Sequence, residues 1–142
     1  MAATQTIDQL NSFLRGELSA VETYRQALQK LSTHRPILEE CERSHAARVS
    51  TLSNEIRRRG GEASQSSGIW GQFATAVEGT AAALGEKAAI AALEQGEDHG
   101  RDDYIRDLKE LDPEARKLVE TQLLPEQKRT HDAISALKKR LS

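Results

Sequence analysis

Apolar residues in this chain recur at alternating steps of three and four, the spacing of helices that bury one stripe. In the first such run, Ile7, Leu10, Leu14, Val21, Tyr24, Leu28 and Leu31 keep the rhythm, but Glu17 stands where a leucine belongs. A buried carboxylate must be paired, protonated or bound to a cation, because a bare charge in a core is very costly. The second run, Leu38, Glu42, His45, Val49, Leu52 and Ile56, is broken in the same way. So is the third, Ile90, Glu94, Glu97, Arg101, Tyr104, Leu108 and Leu111. The fourth holds Gln127, His131, Ile134 and Leu141.

Composition supports an all-α chain. Helix formers dominate, β-branched residues are few and aromatics make up 4% of the 142 residues. That length suits a single domain spanning 1–142. The net charge of −2 gives no basic footprint for nucleic acid. Arg57–Arg59 and Lys138–Arg140 fall at helix C-termini, where the helix dipole favours cations. One cysteine, Cys41, suits a reducing compartment. The N-terminus lacks a signal-peptide pattern, and the longest apolar run, Ala88–Leu93, is too short for a membrane. A cytoplasmic protein with no membrane partner is the expectation.

Helix 1 is predicted from about Thr6 to Leu31, with Thr6 as N-cap and Gln9 as its capping-box partner. Ser32–Arg35 form a turn, Pro36 fits the first turn of helix 2, and Gly60-Gly61 end that helix. A Gly/Ser-rich loop to Gly68 leads into an apolar patch around Trp70, predicted as a short helix from Ile69 to Ala83. Gly85 breaks it. Helix 3 is predicted over Glu86–Leu111, and helix 4 from Asp112-Pro113 to Leu141. Pro125 should kink or break helix 4. Short outer connections and a long middle one point to a ferritin-like antiparallel four-helix bundle. Its crossover, between helices 2 and 3, would carry the short extra helix.

Di-metal carboxylate bundles take a Glu from each of two helices and a Glu-x-x-His from each of the others. Glu42 and His45 supply one such pair. Glu17 or Glu22 would serve helix 1, Glu94 with Glu97 helix 3, and His131 helix 4. Lys128 occupies the place of the second carboxylate, so the set is one ligand short. Counting outward from the turns, Glu97 faces Gln127, and Glu94 faces Thr130 and His131. Glu22 has the better level for His45, whereas Glu17 has the better azimuth. Both remain candidates.

Each candidate also has an ordinary structural reading. Glu17 would pair with Arg48 or Arg101. Glu42 would be superficial if the second seam turns toward Cys41 and Arg48. Glu94 would be flanking, since Leu93 also fits its seam, and His131 would be half exposed. Tyr24 and Tyr104 lie on seams, as core aromatics or as hydrogen-bond donors to core carboxylates. Cys41 reads as a small apolar filler. Gly96 and Gly100 inside helix 3 each cost about 1 kcal/mol relative to Ala, which calls for a packing or functional reason. His34 and His99 should face solvent.

The segment LNSFLRGELSAVETYRQAL resembles the first helix of ferritin-like proteins. SSGIWGQF, LEQGEDHGRDDY and LLPEQKRTHDAISAL resemble a bacterial ferritin-like family labelled a domain of unknown function, akin to stress-induced ferritin-like proteins. The resemblance runs from Ile7 to Leu141. It implies a crossover bundle, often a homo-oligomer, with Glu17 as the helix 1 ligand and Glu42 with His45 on helix 2. Glu94 or Glu97 would be the helix 3 ligand and His131 the helix 4 histidine. Lys128 departs from the pattern and weakens the case for a full di-iron centre.

Two functions are therefore expected from the sequence. The first is metal binding, with iron as the metal and Mn(II) or Zn(II) also compatible, in stress or iron and oxidant handling. Fe(II) would be oxidised by peroxide or oxygen if the protein is an enzyme. The second is a metal-free structural or interaction bundle, its seam carboxylates paired with Arg48, Arg101 and Lys128.

Overall fold

The computed structural model describes residues 2–67 and 85–142. These form a helical bundle of α1 (Ala2–Lys30), α2 (Arg35–Arg58), α3 (Glu86–Asp107), α4 (Pro113–Leu118) and α5 (Leu124–Leu141). The short helix expected over Ile69–Ala83 lies outside the described residues. No helix among the described residues is long and apolar enough to cross a membrane.

Helix boundaries follow local chemistry with two corrections. α1 starts at Ala2, so Thr6 is not an N-cap. Thr6 is buried, and its hydroxyl accepts the Asp112 backbone N–H at 3.0 Å, tying α1 to the head of α4. α3 ends at Asp107, and Leu108–Glu110 form a 3₁₀ turn in place of its expected last turn. Elsewhere the signals hold. Pro36 lies in the first turn of α2, and His34 before it takes a left-handed φ of 57°. Gly60, at φ +80°, closes α2 while the Gly61 N–H returns to the Ile56 carbonyl at 2.9 Å. Asp112 caps α4 by accepting the Ala115 N–H at 2.9 Å.

Pro125 neither breaks nor ends the last helical stretch. A π-helical turn over Val119–Leu123 precedes it. Proline lacks an N–H and crowds the carbonyl four residues back. The wider π turn makes room for the ring just before α5 begins.

The bundle ends are tied by polar contacts. Arg25 on α1 meets Glu42 on α2 at 3.2 Å, and Asn11 near the other end of α1 donates to the Glu62 carbonyl at 2.9 Å. Glu86 at the head of α3 accepts from Thr33 and meets His34 at 3.3 Å. Asp112, beyond the tail of α3, pairs with Arg59.

The core is two apolar clusters with a polar layer between them. Tyr24, Leu31, Leu38, Ile90, Leu93 and Ile134 belong to one. Leu10, Phe13, Leu14, Leu52, Ile56 and Leu123 belong to the other. Each fully buried Leu or Ile contributes roughly 1.5–3 kcal/mol of hydrophobic stabilisation. The layer between them is where the seam carboxylates gather.

Candidate functional site: a buried histidine–carboxylate–arginine layer

His45 on α2 is the centre of the layer, at 3% exposure. Its Nδ1 lies 2.5 Å from Glu17 Oε1 on α1, and its Nε2 lies 2.8 Å from Glu97 Oε2 on α3. Tyr104 donates to the other Glu17 oxygen at 2.6 Å, and Tyr24 donates to Glu97 Oε2 at 2.5 Å. The sequence therefore builds a chain Tyr24–Glu97–His45–Glu17–Tyr104 from three helices.

Arg48, one turn beyond His45, is 2% exposed and approaches Glu17 Oε2 at 3.3 Å. Its guanidinium also donates to the Gln127 side-chain oxygen, to Thr130 Oγ1 at 3.0 Å and to Ser44 Oγ at 3.2 Å. Gln127 donates to Glu97 Oε1 at 2.9 Å and Thr130 donates to the same oxygen at 2.7 Å. Among the described residues, no buried side-chain nitrogen or oxygen lacks a partner.

The charges match. Burial would raise the Glu17 pKa, but Arg48 and His45 overcome it and hold the carboxyl at about 2. Burial acts on Glu97 in the same sense and is likewise outweighed, here by His45 and the Tyr24 and Thr130 hydroxyls, so its pKa is lowered. Burial would lower the His45 pKa, yet Glu17 and Glu97 raise it above its ordinary value. When His45 is protonated, two carboxylates face an imidazolium and a guanidinium and the charges of the layer balance. Tyr24 and Tyr104 are pushed well above the usual phenol range by burial and by the adjacent carboxylates. They act as fixed donors.

Three of the seven sequence candidates, Glu17, His45 and Glu97, meet in this layer. The others lie elsewhere. Glu42 pairs with Arg25 at 3.2 Å near the surface. Glu22 accepts from Ser67 at 3.1 Å. Glu94 holds Lys138 at 2.8 Å, and His131 meets Asp98 at 2.6 Å and Arg101 at 3.4 Å. Glu126, next to Pro125, pairs with Arg129 and accepts from Ser44. Lys128 is exposed. Between Glu17 and Glu22 azimuth decides: a long side chain spans an offset along the axis more easily than it reaches around a helix.

The buried stripes explain the sorting. On α2 the stripe runs through Cys41, His45 and Arg48, so Glu42 turns out of it. On α3 Leu93 takes the inward place beside Glu94. On α5 the stripe is Gln127, Thr130, Ile134 and Leu137, leaving His131 at the margin. In the sequence Thr130 is legible only as a residue level with Glu94, and Arg48 only as a cation near the second seam that could pair with its carboxylates. The three-four step from Gln127 through Thr130 to Ile134 is the signal that finds Thr130.

A metal centre needs donors aimed at one point. The two nitrogens of His45 point away from each other, one at each carboxylate, so an ion on either nitrogen would meet one Glu. Among the described residues no group of three or more His, Cys, Asp or Glu is spaced to hold a metal ion. As arranged, Glu17, His45 and Glu97 are bonded to one another and to Arg48, Tyr24, Tyr104, Gln127 and Thr130.

Residues 5–110 match a family described as a domain of unknown function, DUF2383. The chain belongs to that family. The DUF2383 stretch contains Glu17, Tyr24, His45, Arg48, Glu97 and Tyr104, whereas Gln127 and Thr130 come from the helix beyond it. No curated protein and no solved structure matches the chain.

Proposed function

We propose that the chain is a ferritin-like bundle whose carboxylates are held by its own cations, His45 and Arg48, and that it serves as a structural or protein-interaction module. Two ties support the ferritin-like arrangement. Glu86 at the head of α3 lies beside Thr33 and His34 at the head of α2, and Asp112 beyond α3 lies beside Arg59 at the tail of α2. Helices α2 and α3 then run the same way, which requires a long crossover. The observation that carries the metal-free reading is His45 bonding Glu17 through one nitrogen and Glu97 through the other. Self-association is the interaction proposed. Ile105 on α3, 50% exposed, is the large apolar side chain among the described residues that such a contact would cover.

The second reading is a metal-binding bundle for iron, with Mn(II) or Zn(II) as alternatives, in stress or oxidant handling. It is favoured by Glu17, His45 and Glu97 converging from three helices. Elemental analysis after anaerobic incubation with Fe(II) and desalting separates the two. The metal-free reading expects no retained iron and a melting temperature indifferent to chelator. About one or two irons per chain, lost in His45→Ala, would overturn it in favour of the second. Light scattering tests the self-association: a monomer at all concentrations would exclude it.

A further inference from the structure

Helices α1 and α3 enclose a cleft with a cavity volume of about 80 Å³ beside the polar layer. Gly16, in the middle of α1, forms part of its wall. A glycine there costs about 1 kcal/mol relative to alanine. Among the described residues close packing does not require it: a Cβ at Gly16 would meet none of their atoms within 4 Å. Gly100 on the facing helix is the contrast, since a Cβ there would fall 2.8 Å from the Gln127 amide nitrogen. Gly100 makes room for a neighbour already present, whereas Gly16 leaves space open.

The size and lining of that space define what fits it. A water needs roughly 10–15 Å³ of such volume, so the cleft takes on the order of half a dozen water-sized groups. That is too little for a helix from a partner and suits one compact molecule. Phe13, Leu93, Tyr24 and Tyr104 line it, with the Phe13 and Tyr104 rings 4.7 Å apart between centroids. Its carboxylates are already matched, Glu17 and Glu97 by His45 and Arg48, and Asp103 by Arg106 at 3.1 Å. An added charge would have no counterpart. The tyrosine hydroxyls spend their protons on Glu97 and Glu17, which leaves their oxygens as acceptors. We infer that the cleft binds a small neutral molecule with a flat apolar body and one O–H or N–H donor, of about the size of phenol. This assignment does not depend on whether the core takes iron.

Titration of the full chain with phenol, followed by amide chemical shifts and by melting temperature, tests it. Phenol should saturate, move the amides around Gly16 and Gly100, and raise the melting temperature. Benzoate and benzylammonium, of similar shape but charged, should bind at least about tenfold more weakly. Gly16→Leu places its side chain in the open space, and should keep its helical circular dichroism while losing binding by about tenfold or more. Gly16→Ala, a smaller intrusion, should weaken binding to a lesser degree and serves if the leucine variant does not fold. No saturable phenol binding, equal binding of the charged analogues, or undiminished binding in the folded Gly16 variants would each overturn the assignment.

Discussion

Arg48 and Glu17, both almost wholly removed from solvent, meet at 3.3 Å in the polar layer between the two apolar clusters. Removing either charge alone leaves the buried layer with an uncompensated charge. Arg48→Met should therefore destabilise the bundle by about 3–5 kcal/mol, and Glu17→Gln by a similar order. The double variant should recover part of the loss, because no unpaired charge remains. Urea unfolding of the four proteins measures the coupling. Strictly additive losses would mean that the pair does not act as a unit.

The layer also sets a pH optimum for stability. Glu17 and Glu97 have folded pKa values below the ordinary 4.5, so their contribution is present above about 4.5 and fades as pH falls toward the folded values, about 2 for Glu17. His45 has a folded pKa above 6.5, so its contribution is complete below 6.5 and is lost as pH rises through the folded value. The melting temperature should peak between about pH 4.5 and 6.5 and decline on both sides. In His45→Gln the alkaline decline should flatten while the acid decline remains. A wild-type melting temperature that stays level from about pH 6 to about pH 9 would contradict the raised His45 value.

Gly16 and Gly100 should respond in opposite directions to the same change. Gly16→Ala adds a methyl in open space and should stabilise by up to about 1 kcal/mol through helix propensity. Gly100→Ala drives a methyl to 2.8 Å from Gln127, whose amide holds Glu97 at both its carbonyl and its carboxylate. The propensity gain is then offset by a disturbed buried hydrogen bond worth roughly 1–3 kcal/mol, for a net loss. Thermal unfolding of the two variants provides the comparison.

Cys41 should be unreactive in the folded protein. It is 2% exposed, and burial together with the Glu97 charge pushes its thiol up to about 12. Labelling by a thiol-specific disulfide reagent near neutral pH should proceed at the rate of opening of the bundle, and denaturant should accelerate it sharply. Rapid labelling of the native chain would show that the α2 stripe around Cys41 is open in solution.

Much of this was legible from residue order. The three-four spacing marks the helices, because only a helix brings such residues to one face. Asp112 with Pro113, Pro36, and Gly60 mark ends by chemistry that depends on a few bonds. Thr6 failed as an N-cap because helical backbone continues upstream and its hydroxyl serves a distant N–H instead. The pairing of Glu97 with Gln127 followed from counting outward from a short turn, and the reach of Tyr24 and Tyr104 toward the seam carboxylates from their places on the seams. The relief of Pro125 by a π turn was not legible, since the wider turn depends on what packs around it.

The sequence by itself determined that this chain is helical and that charged groups interrupt its apolar seams. Tertiary structure decided which of those groups go inside. Adjacent helix positions differ by only about 100° of rotation, so Glu42 and Cys41, Glu94 and Leu93, or His131 and Thr130 compete for one inward direction. The spacing within a single helix allows either member of each pair. The neighbouring helices choose, by offering a lysine to Glu94, an aspartate to His131, and to His45 two carboxylates at once.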